Sequence, residues 1–122
     1  MKMQESAQMY LETILILSRR HPQVRSVDIV GELGYKKSSV SVAMKHLREN
    51  GYIEMDHDGF IALTGEGKKI AETMYERHTF LSDWLVSLGV DGAVAAEDAC
   101  RMEHVISPES FGAIKRYVEE KP

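Results

Sequence analysis

The sequence predicts a mostly α-helical chain with one short β-hairpin, in two parts: residues 1–64 and a purely helical stretch over residues 65–122. Three observations support this. Apolar residues recur at three- and four-residue spacing in six segments, the period that lines one face of a helix. Between the third and fourth segments the pattern turns extended on either side of Asp56-His57-Asp58-Gly59. The breaks between segments fall on Gly, Pro or residues that cap helices.

The first helix runs from Gln4 to about Arg20, with Ala7, Tyr10, Leu11, Ile14 and Leu17 on its apolar face, and ends at His21-Pro22. Ser26 as N-cap and Gly34 as C-cap bracket a short second helix over Val27 to Leu33. A third begins at Ser38 or Ser39, turns Val40, Met44 and Leu47 inward, and stops at Asn50-Gly51. Tyr52 to Met55 and Phe60 to Leu63 then form the hairpin. Three helices followed by a two-stranded hairpin is the order of a winged helix-turn-helix, in which the third helix enters the DNA major groove. This makes residues 1–64 a DNA-binding domain.

Thr64 caps a long fourth helix from Gly65 to about Leu88, closed by Gly89, with Ile70, Met74, His78, Leu81, Leu85 and Leu88 in its stripe. A fifth helix fits Val94 to Ile106, and Ser107-Pro108 starts a sixth over Glu109 to Glu119. The last two are too short to build a core alone, so they are expected to fold onto the fourth helix and onto a second copy of the chain.

Composition narrows the function. The 43% apolar and 28% charged residues are those of a folded domain. A formal charge of -4 argues against nucleic-acid binding by bulk positive charge. Charge is unevenly placed, however: residues 1–64 hold eight Lys/Arg and eight Asp/Glu, and Lys36, Lys37, Lys45 and Arg48 form a run without an acidic residue. No apolar stretch approaches the roughly 18 residues a membrane span needs, and no cleavage-site pattern follows Tyr10 to Leu17, so the expectation is a cytoplasmic protein with no membrane partner. A lone cysteine, Cys100, fits a reducing compartment.

Cys100, Glu103 and His104 stand at i, i+3 and i+4 on the fifth helix and share one face. A thiolate, a carboxylate and an imidazole so placed can ligate a divalent transition metal. The alternative is a small core cysteine beside two solvated side chains. Met9 and Glu12 lie off the main stripe of the first helix and imply a second surface there, unless Met9 fills a gap and Glu12 is a surface charge. His78 lies within an apolar stripe, where it must be hydrogen-bonded or ligated.

These residues sit in longer runs: Met9-Tyr10-Leu11, Ser38-Ser39-Val40-Ser41, Leu63-Thr64 with Gly67-Lys68, Glu76-Arg77-His78, and Ala99-Cys100-Arg101-Met102-Glu103-His104-Val105-Ile106-Ser107. In these runs the chain resembles the diphtheria-toxin-repressor family of metal-dependent bacterial repressors, over nearly its whole length. The resemblance implies a winged helix-turn-helix followed by an α-helical metal-binding and dimerisation domain. It assigns Met9, Cys100, Glu103 and His104 to the activating metal site of the iron-sensing branch. Glu12 matches a ligand of the manganese-sensing branch, so the site looks hybrid. Of the iron branch's accessory site only His78 is kept, since Ser82 and Ala96 stand where its other helical ligands would be; Glu12 and His78 are candidate ligands of a differently built second site. The chain stops near residue 122, so the SH3-like domain of longer repressors is expected to be absent.

The function implied is a dimeric, metal-activated repressor of metal-homeostasis genes that binds double-stranded operator DNA, with no catalytic activity and no small-molecule substrate. Sulphur from Met9 and Cys100 favours Fe(II), with Mn(II) the alternative and Co(II), Ni(II) or Zn(II) able to substitute in vitro. Lys36, Lys37 and Lys45 suit phosphates, and Ser38, Ser39 and Ser41 suit phosphates or base edges, although Ser38 and Ser39 would serve equally as N-caps. Val42 stands where the diphtheria-type repressor has a base-facing glutamine, which leaves it only apolar contact with a thymine methyl. The competing reading is a winged-helix regulator responding to a non-metal ligand or to redox state. An enzyme using Cys100 as nucleophile lacks an oxyanion hole or a substrate cleft in this pattern.

Overall fold

The computed structural model describes residues 5–120, so Gln4, the expected start of the first helix, lies outside the described residues. Helix α1 (Glu5–Arg20) buries Tyr10, Leu11, Ile14 and Leu17 of the expected stripe, with Ala7 half-buried beside them, and these join Val24, Ile29, Val40, Met44, Leu47, Ile53 and Ile61 in one apolar core.

Helix α2 (Ser26–Leu33) is capped differently from expectation. Ser26 is its first helical residue and Arg25 is the N-cap, because the Asp28 carboxylate accepts the Arg25 N–H at 2.8 Å while Arg25 O accepts the Asp28 N–H at 3.0 Å. Gly34 takes the left-handed C-cap conformation at φ 71°, as expected. Helix α3 (Lys37–Glu49) also starts early, with Lys36 as an N-cap that makes no side-chain cap hydrogen bond. Ser38 and Ser39 therefore lie within the first turn and are not caps. At the other end Asn50 is the C-cap, and its backbone N–H donates to His46 O at 3.0 Å.

Strands β1 (Ile53–Met55) and β2 (Ile61–Leu63) pair antiparallel, Ile53 with Leu63 and Met55 with Ile61. Each is one residue shorter than expected at its start. The Tyr52 N–H is taken by Leu47 O at 2.9 Å, and the Phe60 N–H by the Asp56 carboxylate, also at 2.9 Å. The Ile61 N–H donates to Val24 O at 2.7 Å and fastens the hairpin to the segment between α1 and α2.

Helix α4 (Gly65–Ser87) follows, its first turn capped by the Thr64 hydroxyl, which accepts from the Gly67 N–H at 3.2 Å. By compactness the chain divides between Thr73 and Met74, within α4. In the second unit Met74 and Leu81 are buried and Leu85 half-buried. Leu88, expected inward, is 63% exposed because the helix has already ended at Ser87. Helix α5 (Gly92–Val105) begins two residues before the expected Val94, since the Asp91 carboxylate accepts from the Ala93 N–H at 3.2 Å, and Ile106 is its C-cap rather than its last residue. Helix α6 (Pro108–Glu120) opens with the expected Ser107 cap, whose hydroxyl accepts from Ser110 N–H at 3.0 Å. Leu81, Ala99 and Phe111, one from each of α4, α5 and α6, form a second core with Phe80, Trp84, Met102 and Ile106 around it. Among the described residues no helix is long and apolar enough to cross a membrane.

Candidate metal centre

The i, i+3, i+4 spacing on α5 does what the sequence suggested: Cys100, Glu103 and His104 each offer a ligand atom, and these atoms lie within 4.8 Å of one another. Buried Ala95 and Ala99 one turn earlier let α5 settle deeply, so the set is not at the surface. Glu103 has no solvent exposure and His104 is buried, which rules out the alternative of two solvated side chains. A carboxylate so buried is costly without compensating partners. Its Oε1 stands 3.3 Å from His104 Nε2, and its Oε2 stands 3.0 Å from Nδ1 of half-buried His78 on α4. The hydrogen bond to Glu103 raises the pKa of His78 above its ordinary 6.5; burial opposes the shift and the carboxylate charge adds to it.

This donor set fits a divalent transition metal. Sulphur, oxygen and nitrogen donors sharing such an ion at about 2.0–2.3 Å from it stand roughly 3–4 Å apart, close to the observed spread. Harder and softer ions are both compatible, because one carboxylate and one imidazole accompany the cysteine sulphur.

Sequence reasoning missed Arg77. Its guanidinium is buried and donates to Glu103 O at 3.0 Å and Ile106 O at 2.9 Å, and it lies over the Phe111 ring with 5.6 Å to the centroid. It thus closes the C-terminal turn of α5, where carbonyls lack intrahelical partners and the helix dipole is negative. A signal was present: Arg77 falls between Met74 and Leu81 at inward-facing spacing, a position no solvated arginine would hold.

In the first unit Met9 is half-buried on α1, and its sulphur accepts the Tyr35 hydroxyl at 3.4 Å. Glu12 is 7% exposed, so it is not the surface charge that the bland reading required. On α3, Val40, Met44 and Leu47 face the core, which leaves Ser38, Ser41, Val42 and Lys45 at i, i+3, i+4 and i+7 on one exposed face. Lys36, Lys37 and Ser39 are exposed beside them, and Val42 is 56% exposed. The hairpin tip, by contrast, carries Asp56 and Asp58, whose charge suits no phosphate.

Residues 2–60 match the iron dependent repressor N-terminal DNA binding domain, and residues 64–121 match the iron dependent repressor metal binding and dimerisation domain. The transcriptional regulator MntR of Escherichia coli is 35% identical over 111 residues, 91% of this chain and 72% of that protein. An HTH-type transcriptional regulator of Methanocaldococcus jannaschii is 30% identical over 120 residues, covering 97% of this chain and 96% of that one. Among solved structures, a manganese-dependent transcriptional repressor in complex with manganese superposes with a TM-score of 0.84 at 27% identity, over 94% of this chain. The chain spans 53% of that protein's length.

Proposed function

The chain belongs to the iron dependent repressor family, and from that premise we propose that it is a metal-activated transcriptional repressor, not an enzyme, that binds operator DNA as a homodimer when a divalent metal is bound. The observation that carries this reading is the convergence of thiolate, carboxylate and imidazole within 4.8 Å on α5. We assign Met9, Cys100, Glu103 and His104 to the activating site, with Glu12 and His78 as ligands of a second one. The burial of Glu12 and Glu103 supports this, since a carboxylate withdrawn from water calls for a cation or a hydrogen-bonding partner. A bound divalent ion would supply concentrated positive charge and fixed bond directions.

Fe(II) was the first expectation from sulphur ligation. The manganese named in one similar structure and the carboxylate–imidazole part of the set support Mn(II) equally, so the working ion is Fe(II) or Mn(II). The chain's own residues supply the rest. In an N-terminal domain over residues 1–64, Ser38, Ser39, Ser41 and Val42 on α3 face the groove, and Lys36, Lys37 and Lys45 take phosphates. In a metal-binding and dimerisation domain over residues 65–122, two copies pair and present two recognition helices to half-sites about 34 Å apart. Taking such a dimer from about 1:99 to 99:1 in favour of the binding-competent state requires about 5.5 kcal/mol of metal preference.

The test is operator binding by fluorescence anisotropy with anaerobic Fe(II), with Mn(II) and with chelator, for the native chain and for Cys100→Ala. Expected are tight binding only with metal and a loss of metal affinity of at least tenfold in the variant. Equal operator affinity after chelation would sink the reading.

A further inference from the structure

We propose that Arg77 is a positioning residue for the metal centre: by tying down the last turn of α5 it holds Glu103 and His104 in their ligating arrangement before a cation arrives. This deepens, and rests on, the assignment of Cys100, Glu103 and His104 as ligands, and all four residues belong to the second compact unit.

Two of the three ligands occupy the weakest part of their helix. Helix α5 ends at Val105, and Ile106 leaves it in an extended conformation at ψ 135°. Glu103 and His104 therefore fall in the last turn, where carbonyls run out of intrahelical partners and helices fray. Apolar burial thins out along the same stretch: Ala95 and Ala99 are fully buried, Met102 and Ile106 half-buried, and Val105 is 64% exposed.

Arg77 supplies from α4 what the turn lacks. Its Nη1 donates to Glu103 O at 3.0 Å and to Ile106 O at 2.9 Å, and the guanidinium lies over the Phe111 ring of α6. One of the two carbonyls belongs to Glu103 itself, so the clamp acts on the backbone that carries the ligand carboxylate. A residue needed only to fill space here would be apolar, as its stripe neighbours Met74 and Leu81 are, since burying a guanidinium is costly. The two carbonyls account for the arginine. A site whose ligands are assembled only part of the time binds with its intrinsic affinity reduced by that fraction. Holding the turn closed therefore raises metal affinity without adding a ligand.

The experiment measures anaerobic Co(II) dissociation constants by chelator competition, and hydrogen exchange of the metal-free protein, on the full chain. The variants are Arg77→Met, Arg77→Lys, Phe111→Leu and Cys100→Ala. Expected for Arg77→Met is a loss of about 10-fold in Co(II) affinity, the effect of a competent fraction near one in ten, with amides of the last turn of α5 exchanging faster while those of α3 do not. Arg77→Lys, which retains a donor, should lose about 3-fold, and it decides the matter if Arg77→Met does not fold. Phe111→Leu should lower the melting temperature yet leave Co(II) affinity within about 2-fold, because it spares both carbonyl contacts. If Phe111→Leu and Arg77→Met weaken Co(II) alike, Arg77 only supports the fold and the proposal is wrong. Unchanged affinity in the Arg77 variants, or a gain from relief of charge repulsion, overturns it as well. If Cys100→Ala weakens Co(II) while the Arg77 variants do not, the ligand assignment stands and only the role of Arg77 falls. If Cys100→Ala leaves affinity unchanged, both fall.

Discussion

Replacing Arg77 by methionine, which fills similar volume without the guanidinium, tests how the metal-bearing turn of α5 is held. The substitution removes two charge-assisted hydrogen bonds, to Glu103 O at 3.0 Å and Ile106 O at 2.9 Å, and leaves both carbonyls without that donor. Each such bond is worth about 1.5–3 kcal/mol. The Phe111 contact, at 5.6 Å to the ring centroid, adds about 0.5–1 kcal/mol. Against this stands the cost of keeping a guanidinium out of water, which the variant recovers. The net expectation is a destabilisation of about 2–4 kcal/mol, or about 6–20 °C in melting temperature for a chain of this size. Arg77→Lys should fall between the two, because an ammonium is a point donor that cannot span both carbonyls as the planar fork does. The assay is thermal and urea denaturation of the metal-free chain followed by circular dichroism. A midpoint for Arg77→Met within about 0.5 kcal/mol of the native chain would refute the reasoning.

Two further outcomes follow from other parts of the molecule. The pKa of His78 is raised above 6.5 by its hydrogen bond to Glu103, so in the metal-free protein its contribution to stability is fully present below pH 6.5 and is lost as pH rises through the raised value. Urea midpoints of the native chain should therefore decline above neutrality relative to those of His78→Gln; parallel curves from about pH 6 to 8.5 would contradict this. On the DNA side, Lys45→Ala should weaken operator binding about equally across sequences and reduce the slope of log affinity against log salt by about 1. An unchanged slope would remove Lys45 from the phosphate contacts.

Most of the architecture was legible because it rests on period and punctuation. The apolar stripes of α1 and α3, the Gly34 cap, the Ser107-Pro108 start and the Asp56–Gly59 turn are local signals, and each appears where its chemistry requires. The errors were at ends where a competing group was not weighed. Asp28 drew the start of α2 to Ser26, and Asp91 drew that of α5 to Gly92. The same holds for the site. The shared face of Cys100, Glu103 and His104 follows from helical geometry and was read directly. The inward spacing of Arg77 was there to be read, but its role was not, because its partners are backbone carbonyls 26 and 29 residues away, which carry no sequence signature. The contact between Tyr35 and Met9, likewise 26 residues apart, depends on the turn at Gly34 and on no periodicity.

Gly67 lies where any side chain would collide with the backbone carbonyl of Tyr52. That carbonyl already accepts the Thr64 N–H at 3.1 Å, while the Tyr52 N–H donates to Leu47 O at 2.9 Å and the Thr64 hydroxyl donates to Gly51 O at 2.7 Å. The tail of α3, the root of the hairpin and the onset of α4 are thereby tied together through five residues, Leu47, Gly51, Tyr52, Thr64 and Gly67. With that close approach and these hydrogen bonds the junction has no slack link, so a torque on the first turn of α4 is expected to pass to the end of α3 rather than be taken up between them.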